Sequence, residues 1–180
     1  MTDLVLLTAL LRGPAYGYAL KRTAGLIFGQ SRLHNNVVYP LLKKFVEAEW
    51  VEQSSVPGDR GQQRKQYRIT AAGRQYLLEQ MATFDERDAG NDGAFLFRVA
   101  MFDLLPGEKR KEIIAARKAY LALRIEELSA LEKSQRPTSF PGFVLNRVQA
   151  LVKDEMEWIA KLENRKSSNS QTRRENHANR

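Results

Sequence analysis

Apolar residues fill positions 4–11 almost without interruption, which predicts a short helix buried on all sides. Gly13-Pro14 ends it. Residues 15–28 predict a second helix, with Tyr18, Leu20, Ala24 and Ile27 on its apolar side and Tyr18 facing the core. Gly29 follows as a C-cap. His34-Asn35-Asn36 supplies side-chain acceptors for the free amides of a third helix over residues 36–49. In that helix Val38, Leu41, Leu42, Phe45 and Val46 recur at helical spacing, and Pro40 is expected near the first turn. The period then shortens. Residues 51–56 alternate like a strand, residues 57–61 form a turn, and residues 64–69 return as a second strand with Tyr67 and Ile69 on one face. Thr70 caps a fourth helix over residues 71–84.

The second half is patterned differently. Residues 85–93 are acidic and contain glycine, as a linker does. An apolar helix over 94–104 stops at Pro106-Gly107. A long charged helix over 108–132 carries Ile114, Leu121 and Leu128 seven residues apart, with Ile125 between. Residues 137–142 read as a loop, and residues 143–164 as the last helix. There Val144, Leu151 and Trp158 repeat at seven, with Val148 and Leu162 at intermediate positions. Leu145, Val152, Met156 and Ile159 widen this stripe beyond what one helical hairpin can bury, so a partner chain is implied. Val144, Val148, Leu151, Met156, Trp158 and Leu162 are the dimerisation candidates. Residues 166–180 lack apolar periodicity and are expected to be disordered.

The fold class predicted is mainly α with a small β-wing. A winged helix-turn-helix over residues 1–84 precedes an antiparallel helical dimerisation domain over 94–165 and a basic tail over 166–180.

Charge sharpens this reading. The net charge of +8 is unevenly placed: residues 1–82 hold 11 Lys or Arg against 6 Asp or Glu, and residues 83–165 hold 14 of each. Residues 166–180 hold 4 against 1. A basic head on a neutral body suits a polyanion partner. The chain has no cysteine and only His34 and His177, which excludes thiol chemistry and leaves no histidine metal site or catalytic triad. No phosphate-cradling glycine loop or cofactor fingerprint occurs, so neither an enzyme nor a cofactor is expected. Asp85, Glu86, Asp88 and Asp92 lack the spacing of a calcium loop and read as a solvated linker. The sequence shows no signal peptide and no membrane span, and the expected location is the cytoplasm.

In a helix-turn-helix protein the start of the third helix enters the major groove of DNA. Here it presents Asn35, Asn36 and Tyr39, with Lys43 and Lys44 one turn later. An asparagine can pair with adenine through two hydrogen bonds, and lysines contact phosphates. Asn35 and Asn36 either cap the helix only or also reach a base. In the wing, Arg60, Arg64 and Lys65 surround a polar tip suited to phosphates or the minor groove. A winged helix can also serve as a protein-binding adaptor without specific DNA binding.

Three ordered segments carry a family resemblance. Residues 11–20 (Leu-Arg-Gly-Pro-Ala-Tyr-Gly-Tyr-Ala-Leu), 38–43 (Val-Tyr-Pro-Leu-Leu-Lys) and 64–73 (Arg-Lys-Gln-Tyr-Arg-Ile-Thr-Ala-Ala-Gly) resemble motifs of the PadR family of bacterial transcriptional regulators. In this chain Gly13-Pro14 reads as a tight turn, Gly17 as a close helix contact, and Thr70 and Gly73 as a helix start. Many members carry a small Ser or Thr and a Gly before the recognition-helix tyrosine, where this chain has Asn35, Asn36 and Val37. Residues 94–163 more weakly resemble the helical C-terminal domain of longer, virulence-activator-like members. The resemblance implies a homodimer on double-stranded DNA, repressing or activating nearby genes, with a small aromatic or drug-like effector in some members. Trp158 shares the heptad position of Val144 and Leu151, which favours packing over ligand contact.

Overall fold

Helix α1 (Thr2–Leu10) is buried from Leu4 to Leu10, as its unbroken apolar run requires. The computed structural model describes residues 2–27, 35–57, 62–133 and 139–178. The chain divides into two compact units, Met1–Arg110 and Lys111–Arg180.

In the first unit α1 packs against α2 (Gly17–Ile27) and α4 (Ala71–Ala82). Between them in sequence lie α3 (Asn35–Glu47) and strands β2 (Val51–Pro57) and β3 (Gln63–Ile69). The helix expected from residue 15 begins two residues later. Ala15–Tyr16 form a short strand, β1, that pairs antiparallel with β3 through Ala15↔Tyr67 and Tyr16↔Gln66. Gly13, at φ 129°, makes the turn that delivers β1 to the sheet. The sheet order is β1-β3-β2, and β2 and β3 form the wing hairpin, from Val51↔Ile69 to Pro57↔Gln63. Leu6, Leu7, Leu10, Leu20, Val38, Leu42, Phe45, Leu77 and Met81 form a core below that sheet's Val51, Tyr67 and Ile69, all of them buried.

Thr70 caps α4: its hydroxyl accepts from the Gly73 amide at 2.9 Å and donates to the Glu49 carbonyl at 2.8 Å. Gly73 has a further reason to be glycine. A Cβ there would collide with the backbone carbonyl of Trp50. Trp50 in turn stacks on Tyr76, with centroids 3.5 Å apart.

The acidic stretch read as a linker contains a helix, α5 (Glu86–Ala89), capped by the Asp85 carboxylate accepting from the Asp88 amide. Asn91 caps α6 (Asp92–Ala100) in the same way. Buried Arg98 gives one of these acids, Asp88, a partner. Its guanidinium donates to the carbonyls of Gln80, Met81 and Thr83 at the end of α4 and to Asp88 at 3.2 Å. A cation at a helix C-terminus satisfies carbonyls that the helix leaves free. Burial lowers the Arg98 pKa, while Asp88, Asp3 and Asp85 oppose that shift. Among the described residues no acidic group is arranged to hold a metal.

The second unit is a helical hairpin: α7 (Gly107–Glu132), from Lys111 onward, and α8 (Phe140–Ala178). Arg117 and Lys118 reach Glu155 and Glu163, whereas Glu132 meets Gln149, so the helices run antiparallel. Ile114, Leu121 and Leu128 are buried along α7 and Ile159 along α8. α8 starts earlier than the sequence suggests, because the Ser139 hydroxyl accepts from the Gly142 amide and Pro141 fits a first turn. It also continues through residues 166–178, expected to be disordered. That segment contains no Gly or Pro to stop a helix.

Candidate nucleic-acid interface

Helix α3 divides sharply into two faces. Val38, Leu42 and Phe45 are at most 1% exposed. Asn36, Val37, Tyr39, Lys43 and Lys44 lie on the exposed side. Asn35 is the first residue of α3, and its side chain lies outside the described residues. Pro40 is inside the helix, farther in than the first turn, and with no N–H it cannot donate to the Asn36 carbonyl. Lys43 makes an exposed ion pair with Glu47 at 3.6 Å. Such pairs contribute about 0–1 kcal/mol, so Lys43 stays available to a phosphate.

Tyr39 has a defined seat. Its ring lies against Gly17, where an added Cβ would come within 2.8 Å of Cε1. The close contact expected of Gly17 is therefore made with Tyr39 of α3. Tyr39 also faces Tyr67 of β3. Burial raises the Tyr67 pKa, and the neighbouring Tyr39 raises it further. The Tyr67 phenol therefore stays a neutral donor at physiological pH.

These residues border an open cleft of about 470 Å³, lined by Tyr16, Gly17, Tyr18, Tyr39, Arg64, Lys65 and Tyr67. The wing register places Arg64 opposite Val56 and Lys65 opposite Ser55. Arg64 is half-buried and Lys65 exposed. Arg60 lies outside the described residues.

Tyr18 corrects the sequence reading. It is 62% exposed rather than in the core, and its ring stacks on Tyr16, centroids 5.8 Å apart and planes 5° from parallel. Its place in an apolar helical pattern hid this. Only the β1–β3 pairing, which draws Tyr16 to the sheet edge, reveals that Tyr18, in the first turn of α2, lies beside the wing.

On the second unit, the candidate dimerisation residues separate. Val144, Leu151 and Trp158 are 59%, 49% and 38% exposed. Val148, Met156 and Leu162 are half-buried. Phe140 and Phe143 are exposed as well. Glu155 and Ile159 face α7, the former through a two-pronged bond to buried Arg117 at 2.8 and 2.7 Å.

A three-helix core, a β-wing paired to the strand before the second helix, and a polar, basic outer face on α3 define a winged helix-turn-helix domain. Residues 6–79 match the model of the Transcriptional regulator PadR-like family, and the chain belongs to that family. Three solved structures illustrate the similarity. A candidate transcriptional regulator from Thermoplasma acidophilum is 33% identical over 43% of this chain and 74% of its own, with TM-score 0.41. A PadR family transcriptional regulator from Eggerthella lenta is 29% identical over 44% and 68%, with TM-score 0.39. PadR of Bacillus subtilis, solved in complex with operator DNA, is 18% identical over 89% and 96%, with TM-score 0.42. No curated protein matches the chain. Among the described residues, no helix is long and apolar enough to cross a membrane.

Proposed function

We propose that this chain is a sequence-specific DNA-binding transcriptional regulator, a repressor, that acts in the cytoplasm as a homodimer. The observation that supports this best is the split of α3, whose buried Val38, Leu42 and Phe45 fix the helix while Asn36, Tyr39, Lys43 and Lys44 face outward. In this reading Asn35 and Asn36 reach base edges, and Tyr39, Lys43 and Lys44 hold the backbone. Arg60, Arg64 and Lys65 of the wing bind the adjacent phosphates. Residues 1–84 are the DNA-binding part and residues 94–165 the dimerising part. The basic segment 166–180 adds sequence-independent attraction.

The second copy docks on α8 along Val144, Leu151 and Trp158, which lie on one line of the helix and remain exposed in the single chain. Val148, Met156 and Leu162 flank that line. Two-fold symmetry then presents two recognition helices to half-sites about one helical turn apart. Release from DNA by a small aromatic ligand is part of the proposal, on the strength of the family resemblance.

The test is binding of the full chain to its own upstream DNA and to a scrambled duplex across a salt series. Preference for the native duplex, with affinity falling steeply as salt rises, supports the regulator. Weak, equal binding to this and to other genomic duplexes would point instead to a protein-binding adaptor.

A further inference from the structure

The cleft beside Tyr39 contains more chemistry than a recognition helix needs. It joins three elements: α3 through Tyr39, the wing strand β3 through Arg64, Lys65 and Tyr67, and the β1–α2 corner through Tyr16, Gly17 and Tyr18. The position is informative. A recognition helix occupies the major groove and a wing follows the backbone or the minor groove. The sugar–phosphate ridge of one strand separates those two grooves, so a cleft between helix and wing faces that ridge.

The lining suits it. Two cations supply charge, and phenol O–H groups supply donors that bind an anionic oxygen more strongly than a neutral one. The parallel rings of Tyr16 and Tyr18 offer apolar faces to a deoxyribose. Tyr18 and Tyr39, at 62% and 46% exposed, are the accessible members, and their side chains are open to a ligand beside the basic strand.

We propose, on the basis of the regulator reading above, that this cleft receives one phosphodiester of double-stranded DNA, and that Tyr18 of α2 is a DNA-binding residue. Tyr18 and Tyr39 donate to the phosphate, Arg64 and Lys65 neutralise it, and Tyr16 backs Tyr18. Gly17 is a positioning residue, because it leaves room for the Tyr39 ring. A phosphate seat reads no base. It sets how the wing and the recognition helix share one strand.

The experiment compares the full chain with its Tyr18→Phe, Lys65→Ala and Asn36→Ala variants on the upstream duplex and on a scrambled duplex, at several salt concentrations. Tyr18→Phe is expected to weaken binding to both duplexes by about tenfold, the size of one lost hydrogen bond to a charged group, with their ratio unchanged. Lys65→Ala is expected to lower the salt slope by about 1, and Asn36→Ala to reduce the ratio. A scan with single methylphosphonates should find one phosphate per half-site whose neutralisation harms the wild type more than Tyr18→Phe. Wild-type binding to both duplexes by Tyr18→Phe, or no such phosphate, overturns the role of the cleft alone. Failure of the wild-type chain to bind either duplex overturns the regulator reading and the cleft's role with it. A thermal melt of Tyr18→Phe matching wild type confirms that the lost hydroxyl acts on DNA and not on the fold.

Discussion

Glu49 adopts φ 58°, a left-handed conformation that side chains other than glycine, asparagine and aspartate rarely take. The reason lies in how α3 ends. The Glu49 amide donates to the Val46 carbonyl and the Trp50 amide to the Phe45 carbonyl, the paired bonds of a Schellman closure. A glycine would adopt that geometry without strain between Cβ and backbone. Glu49→Gly is therefore expected to stabilise the chain by up to about 1 kcal/mol, read as a rise in thermal midpoint. A drop would show that the Glu49 side chain makes a contact worth more than the strain. This residue was not legible in the sequence, where no glycine announced the helix end. Gly73 was half legible: it read as a helix start, but only the fold brings the Trp50 carbonyl against it. Tyr18 misled, because helical spacing says which residues share a face and not which faces stay uncovered.

At the scale of elements, the winged helix was readable because its signals are local. Apolar spacing, Gly13-Pro14, the change of period after Trp50 and the Thr70 cap each need only a few neighbouring residues. What escaped depends on distant partners. β1 exists because β3 lies beside it, and α5 is held by Arg98 from α6. The α7–α8 pair depends on Arg117, which sits at 1% exposure inside a helix face that reads as charged. Its guanidinium binds both oxygens of Glu155 and lies 5.3 Å from the Tyr120 ring centre. Removing one partner leaves the other charge buried. Glu155→Ala is expected to destabilise the chain by about 3 kcal/mol, and replacing Arg117 and Glu155 together by methionine and leucine to recover most of that. Denaturant melts of the single and double variants decide it. A Glu155→Ala loss below about 1 kcal/mol would mean that the pair behaves as an exposed one. The Lys118–Glu163 pair, more than 40% exposed on both sides, serves as that control.

At the scale of the whole molecule, charge and apolar surface are separated along the chain. The basic excess lies in residues 1–82 and 166–180, while the exposed line of Val144, Leu151 and Trp158 lies in the charge-balanced middle. In the proposed dimer, operator affinity has two sources, phosphate contacts of each head and the coupling of two heads through α8. Leu151→Asp tests the coupling without touching a head. Leu151 is 49% exposed in the single chain, so an aspartate there is tolerated by the hairpin but not by a facing apolar helix. The variant is expected to run as a monomer in light scattering. Its far-UV spectrum should stay helical, because Ile114, Leu121, Leu128 and Ile159 remain packed. Its affinity for a two-half-site operator should fall about 100-fold or more, the usual gain from linking two binding heads, while a single half-site is bound as before. A variant that remains a dimer with full operator affinity would move the interface away from this face of α8. A variant that loses its helix content would show that Leu151 belongs to the hairpin core instead.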